Sequence, residues 1–387
     1  MLNVVGRGGA PYSRTVNDEL DHLRRLLPGV RLDDLGLLTG SNRSRVRRVR
    51  ADSRTVIVKE FVTAGTGWAR ETAALAVIPP AVRAPRLVAA GSNPPIVVMT
   101  DAGPGTSVAG ALLGADPAVA TSAVVAWASA IGELHRETTG SRAAFRAALH
   151  ARAGDQPVPE STMPAFLDDA ADVIARASAD LAVEVPAGAW EELRTLNDRL
   201  GVAALTPSDA CPDNNVCTDD GLVLIDFEGA QWRPVAWDLA YLTVPWPSCW
   251  CSWRIPAAVT ERAVDAYRAA FPGSGADPAA FRRDVEAAAT GWAYLSASWF
   301  LPRALLDDPP GANPDRPRPG YRAMILDRFG SAREAAGAGT PALAELAGRL
   351  HDALTVRWGS VVLPYAPAFS RGEMGQRARG RSGENEP

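Results

Sequence analysis

Lysine is almost missing from this sequence. Among 40 Lys and Arg residues in 387 positions, a single one, Lys59, is lysine. Alanine is abundant as well, so a coding bias toward Ala and Arg accounts for the background. A lysine that survives such a bias points to a site where arginine will not serve. Lysine is a compact point charge on a flexible stem, arginine a planar fork, and a buried phosphate contact in a narrow slot separates the two. Cysteine and histidine are also scarce, four of each. Four cysteines make no disulfide framework. Cys211, Cys217, Cys249 and Cys251 cluster along the chain, but C-x5-C followed by C-x-C matches no common zinc pattern. We read them as buried free thiols, with a metal site or disulfide as the alternative. Excess positive charge is absent too. The formal net charge is −4, which argues against a nucleic-acid binder relying on a basic surface. No run of 18 apolar residues occurs, so no membrane span is expected. The first residues, MLNVVGRGGAPYSR, lack the apolar stretch of a signal peptide, so the expected location is cytoplasmic.

Hydrophobic residues make up 47% of the chain, enough for a sizeable core in two domains or in one two-lobed domain. Residues 15–28 carry a helix signal, with Asn17 as its cap and Leu20, Leu23 and Leu27 on one face. From residue 36 the pattern GLLTGSNRSRVRRVRADSRTVIVKEF predicts strand, tight turn, strand, turn at 51–53, then a strand near whose end stands Lys59. A short helix is expected over 67–78, stopped by Pro79 and Pro80, and a buried strand over 95–100. DAGPGTS at 101–107 is a linker, and beyond it the chain is mostly helical. Helices are expected over 118–135, 163–182, 187–200, 258–271, 277–306 and 341–357. The first of these carries no charge from Ala118 to Gly132, which suits the centre of a helical domain. One β-hairpin interrupts the helices, Val216–Thr218 and Leu222–Ile225 around Asp219-Asp220-Gly221. The expected division is therefore an N-terminal lobe over 1–99, a helical lobe over 100–366 and a disordered tail over 367–387.

Chemistry concentrates around that hairpin. Asp209 and Asn214 lie five apart in a Pro-containing loop, and the hairpin returns the chain to Asp226. An Asp, an Asn and a second Asp at one end of a hairpin form an oxygen-only donor set. Such a set suits a hard cation such as Mg²⁺, which takes its remaining ligands from water and phosphates.

These residues resemble the aminoglycoside phosphotransferase and choline kinase group of the protein-kinase-like superfamily. That group carries H-x-D-x-x-x-x-N, a hairpin, then D-F/W-E/G. Asp209 to Asn214 and Asp226-Phe227-Glu228 are similar to its two segments. Further matches in order are VIVK ending at Lys59, Arg70-Glu71 with Leu75, the stretch 130–135 ending at His135, and Pro234 with Asp238. The ordered set spans about residues 36–242 and is far more specific than any one piece. The resemblance implies an α+β, two-lobed protein-kinase-like fold with a small antiparallel-sheet lobe and a larger, mostly helical lobe. It implies ATP (or GTP) and Mg²⁺ as cofactors, and transfer of the γ-phosphate to a hydroxyl of a small molecule such as an antibiotic, sugar or amino alcohol. Lys59 would hold the α- and β-phosphates and Glu71 would orient it. Asp209 would be the catalytic base, and Asn214 and Asp226 the metal ligands. Ser41, Asn42 and Ser44 would offer groups to the phosphates. The nucleotide base would sit against the linker near Thr100 and Ala102. Asp238 would brace the catalytic loop. The sequence departs from the group at Pro207, where the group has His. A peptide Ser/Thr kinase and a nucleotide-binding pseudokinase scaffold are the alternative functions. The expected partners are a nucleotide and a small hydroxyl-bearing acceptor, with no nucleic acid and no membrane; a protein partner stays open. Trp246, Trp250 and Trp253 read as core packing, with an aromatic acceptor wall as the alternative. Glu261, Asp265, Asp307 and Asp308 read as solvated helix faces.

Overall fold

The structure is a computed structural model, and it describes residues 16–41, 43–63, 65–155, 157–272, 277–308, 316–335 and 339–370. Its first part is a five-stranded antiparallel sheet built from β1 (Leu32–Ser41), β2 (Ser44–Ala51), β3 (Arg54–Phe61), β4 (Leu87–Ser92) and β5 (Pro95–Thr100), in the order β1-β2-β3-β5-β4. The two-residue period of β3 decides what each face does. Val56 and Val58 point to one side, where they join Val49, Ile96 and Val98 against Leu20 and Leu23 of helix α1 (Val16–Leu26). Ile57, Lys59 and Phe61 therefore point to the other side, toward the rest of the molecule. Lys59 stands opposite Val46 and Val97, in the middle of three paired strands.

Helix α2 (Thr66–Val77) is not a surface helix. Every residue from Trp68 to Leu75 is buried, including Arg70 and Glu71. It ends at Ile78 before Pro79 and Pro80, as the sequence predicts.

The second part is mostly helical. Its centre is the helix Pro117–Thr138, whose N-terminus is fixed by the Asp116 carboxylate accepting from the Ala118 and Val119 N–H groups. Val124, Trp127, Ile131 and Leu134 of this helix are wholly buried. It packs on the helix Ala257–Ala270, and Gly132 permits the close crossing: a Cβ there would meet the Tyr267 carbonyl and the Ala270 Cβ at 2.9 Å. Among the described residues this is the one helix long and apolar enough to cross a membrane, and half of its apolar window is buried in the fold. Helices Met163–Asp180, Ala189–Arg199, Pro278–Leu306, Tyr321–Glu334 and Pro341–Trp358 complete the shell.

Two short antiparallel pairs sit where the parts meet. β6 (Ala203–Thr206) pairs with β9 (Gln231–Pro234), and β7 (Asn215–Thr218) pairs with β8 (Gly221–Leu224). The second pair is the expected hairpin, turning at Asp219-Asp220. The loop from β6 to β7 and the loop from β8 to β9 emerge side by side. Packed chain runs past residue 367, since Ala366 and Ala368 are buried and a helical turn covers 367–370.

Candidate active site

A cleft of about 600 Å³ separates the sheet from the helical part. Apolar side chains of the sheet, Leu38, Val46, Ile57 and Met99, line it. Lys59, Asp209, Asn214 and Asp226 line it too, as do Asp213, Ser248, Trp250 and Arg316.

Lys59 is the electrostatic centre. Its Nζ lies 2.6 Å from Glu71 Oε2, 2.5 Å from Asp226 Oδ1 and 2.9 Å from Glu228 Oε2. The Glu71 side chain is 1% exposed and that of Asp226 33%, so one carboxylate is sealed in and the other looks into the cleft. Burial alone would lower the Lys59 pKa, but Glu71, Asp226 and Glu228 together raise it well above its ordinary value. Burial pushes the Glu71 carboxyl up to about 7, against the pull of Lys59. Asp226 sits at φ +63°, a left-handed conformation uncommon for a residue other than glycine. The adjacent Ile225 N–H donates to the Asn214 carbonyl at 3.1 Å, which brings Asn214 beside Asp226. The Asn214 amide nitrogen donates to the Asp209 carbonyl at 2.8 Å, so its oxygen is the atom left to serve a cation.

Asp209 is half-buried, and its Oδ1 accepts from the Ser248 hydroxyl at 2.8 Å. Burial is the foremost cause that raises its pKa, with the charges of Asp226 and Asp213 adding and the Ser248 hydrogen bond opposing. The residue before it, Ser208, is at φ +67°. Four contacts hold Ser208 there. Gln231 Nε2 donates to its hydroxyl at 2.7 Å, and Arg233 Nη1 does so at 3.3 Å. Arg233 Nη2 donates to its carbonyl at 3.1 Å, and the Tyr241 hydroxyl lies 3.2 Å from the same oxygen. Arg233 is fixed in turn by Asp238, whose second oxygen lies 3.3 Å from His135 Nε2. Burial would raise Asp238, but Arg233 and His135 hold it below the ordinary carboxylate range. Arg233 and Gln231 thus brace the residue that follows Pro207.

The structure brings Lys59, Glu71, Asp209, Asn214 and Asp226 around one cleft. Ser44, Thr100 and Ala102 line it as well. The Thr100 hydroxyl accepts the Arg86 N–H at 2.8 Å. Ser41 ends β1 opposite Ser44, and Asn42 lies outside the described residues. Sequence reading assigned no role to Glu228, which also pairs with Arg43 at 2.8 Å. Ser248, Gln231 and Arg233 went unread as well, and Arg70 was matched but given no role; its guanidinium binds the Ala230 and Pro159 carbonyls at 2.7 Å and ties α2 to the segment after Asp226. The reading of all four cysteines as free thiols is corrected. Cys211 and Cys249 form a disulfide, their Cα atoms 5.9 Å apart across 38 residues of sequence, while Cys217 and Cys251 are free. A sequence separation of that size carries no pairing signal, because only the fold sets the Cα distance. Of the three tryptophans, Trp246 packs in the core against Trp127, whereas Trp250 lines the cleft. Asp307 and Asp308 are not in the cleft wall, and Asp308 instead accepts from the Tyr321 and Arg322 N–H groups.

A two-part fold whose buried lysine–glutamate pair faces an Asp/Asn loop across a cleft is a kinase-like phosphotransferase fold. Residues 36–295 match the phosphotransferase enzyme family, and the chain belongs to that family. Among solved structures it is similar to a choline/ethanolamine kinase family protein from Mesorhizobium loti, at 19% identity over 87% of this chain and 100% of that one, with a TM-score of 0.48. A macrolide 2'-phosphotransferase from Brachybacterium faecium is similar at 19% identity over 80% and 97%, with a TM-score of 0.46. An ethanolamine kinase from Plasmodium vivax is similar at 11% identity over 81% and 84%, with a TM-score of 0.49. Among curated proteins none matches this chain.

Proposed function

We propose that this phosphotransferase uses Mg²⁺ and ATP (or GTP) to phosphorylate a hydroxyl of a small molecule. One observation carries the reading: the chain's single lysine lies in the cleft between a sealed glutamate and an aspartate open to solvent, with Asn214 and Asp209 across from it. Lys59 presents its ammonium to the phosphate oxygens, and Glu71 holds it in place. Asp226 and Asn214 offer carboxylate and amide oxygens, a donor set that fits Mg²⁺ rather than a thiophilic ion. When bound there, Mg²⁺ would neutralise phosphate charge. Asp226, whose Oδ1 touches Lys59 Nζ at 2.5 Å, would hold the cation from its partly exposed side of the cleft. Asp209 accepts the proton of the attacking hydroxyl. Ser248 occupies Oδ1 of this carboxylate, which leaves Oδ2 for the acceptor. The apolar patch of Leu38, Val46, Ile57 and Met99 suits the flat face of a purine. Trp250, Asp213 and Arg316 of the cleft wall would meet the acceptor.

The test is Asp209→Asn. It should bind Mg-nucleotide like the parent protein in calorimetry and lose phosphate transfer in an acceptor screen by about 100-fold or more. Unchanged turnover would remove Asp209 from its role. Absence of nucleotide binding by the parent protein would end the reading.

A further inference from the structure

The cysteines group differently in space than along the chain. Cys217 stands on β7, apart from the others. Cys211 belongs to the loop that carries Asp209, and it faces residues 244–256, the segment that carries Ser248. There two short pairs meet: Cys211-Pro-Asp213 and Cys249-Trp-Cys251. Cys249 is bonded to Cys211, and its sulfur lies within 4.8 Å of both the Cys251 sulfur and a carboxylate oxygen of Asp213. The Cys251 side chain is wholly buried. Trp250 Nε1 donates to Asp213 Oδ2 at 2.8 Å, which fixes this carboxylate from outside the cluster. A hydrogen bond that orients a donor group from behind is the usual companion of a metal ligand.

Two sulfurs and one carboxylate oxygen, with water as the fourth ligand, make a tetrahedral, thiophilic donor set. We propose that, once the Cys211–Cys249 bond is reduced, Cys249, Cys251 and Asp213 bind one divalent cation of the zinc class. Disulfide and cation are then alternative clamps between the catalytic loop and the 244–256 segment. The clamp matters because of what lies next to it. Cys211 Sγ is 3.0 Å from Asp209 Oδ1, and Cys249 follows Ser248, whose hydroxyl is bonded to that same oxygen. Either clamp keeps Ser248 on Asp209. In a reducing compartment a disulfide does not persist, and the cation takes over the role.

The chemistry balances. A dithiol reductant gives two electrons and two protons; the sulfur–sulfur bond breaks, two cysteine thiols form, and the reductant closes to its own disulfide. Cation binding then releases the protons of two thiols to water. This site is separate in kind from the oxygen donors Asn214 and Asp226, since Mg²⁺ avoids thiolates and zinc-class ions favour them. The proposal therefore does not depend on the phosphotransfer reading.

The experiment uses the full chain, reduced with a dithiol and freed of it without oxygen, and titrated with Co²⁺ as a coloured substitute for zinc. One equivalent should bind with a thiolate-to-cobalt charge-transfer band and tetrahedral ligand-field bands, be displaced by Zn²⁺, and be indifferent to excess Mg²⁺. Oxidised protein should show no such band. Cys251→Ser should weaken the charge-transfer band, and Asp213→Asn should lower Co²⁺ affinity. Trp250→Phe, which keeps every ligand, should lower it by about tenfold. Circular dichroism checks that each variant is folded; Asp213 and Trp250 line the cleft, so their variants test the site even if Cys251→Ser does not fold. A reduced protein without the charge-transfer band would overturn the proposal, as would Co²⁺ affinity unchanged in both Asp213→Asn and Trp250→Phe.

Discussion

Replacing Lys59 by Met removes one positive charge from among three carboxylates and keeps most of the stem's volume. Glu71 is the critical partner, because its side chain is 1% exposed and cannot turn to water, whereas Asp226 is 33% exposed and can. Leaving one member of a buried ion pair alone costs about 3–5 kcal/mol. The variant can relieve part of this by keeping Glu71 protonated. In the parent protein burial already pushes Glu71 up to about 7, with Lys59 pulling down. Without the ammonium the folded-state pKa rises further, well above the ordinary 4.5 of the unfolded chain. A group whose folded pKa lies above its unfolded value stabilises the fold at low pH and loses that contribution as pH rises through the folded pKa. Between about pH 7 and the variant's own higher pKa, only the variant's folded state still holds the extra proton. Its deficit relative to the parent therefore grows there, by up to about 1.4 kcal/mol per pH unit. Lys59 itself stays charged in both folded and unfolded parent over this range and adds no slope. Urea unfolding at pH 6 and pH 9 should show a larger deficit for Lys59→Met at pH 9. The double variant Lys59→Met/Glu71→Gln should recover most of it and remove the pH dependence. Equal deficits at both pH values, or a double variant no more stable than the single one, would refute the reasoning.

Ser248→Ala removes the hydrogen bond that opposes the raised pKa of Asp209. The acidic limb of the rate profile, where activity is lost as pH falls through that pKa, should move upward by roughly one to two pH units, since a hydrogen bond to a charged group is worth about 1.5–3 kcal/mol; an unmoved limb would separate Ser248 from the base. Arg233→Met leaves Asp238 buried without its guanidinium and frees the Ser208 carbonyl, and should lower stability by about 3–5 kcal/mol in urea unfolding. Arg233→Lys should recover part of the ion pair without the fork onto Ser208, so stability should return further than turnover.

The small sheet was legible because turn signals bracket β2 and β3 and because Val56-Ile57-Val58 is a β-branched run. β4 was not read: LVAAGS is a short run of mostly small residues, half-buried from Leu87 to Gly91, and such a run has no face. β6 and β9 were missed for another reason. They are four residues each, and β9 buries Gln231 and Arg233, residue types that read as loop unless their partners are known. The helices Arg142–Ala153 and Tyr321–Glu334 also went unread, the latter with apolar residues spread around its circumference. In the site, Lys59, Glu71, Asp209, Asn214 and Asp226 stood out because each belongs to a short pattern with its own chemistry. Ser248 lies 39 positions from the carboxylate it touches, and no local pattern links a serine in a Trp/Cys-rich segment to a base. Arg233 stood one residue from a recognised motif, yet its role depends on a strand pairing that the sequence did not reveal.

The split between one lysine and many arginines has a geometric reason that only the structure supplies. Buried and half-buried arginines here meet separated oxygens on a planar arc. Arg70 spans two carbonyls, Arg86 spans those of Ile78, Pro79, Pro80 and Val82, and Arg233 bridges a carboxylate and the Ser208 backbone. Five donors in a rigid fork suit such targets. At Lys59 three carboxylate oxygens converge to within 2.9 Å of one nitrogen. A tetrahedral ammonium with three donors meets that convergence, and a guanidinium cannot point three N–H groups from one nitrogen. The drift toward arginine was therefore free to run wherever a fork could replace a point, and it stopped at the position where three anions share a single atom.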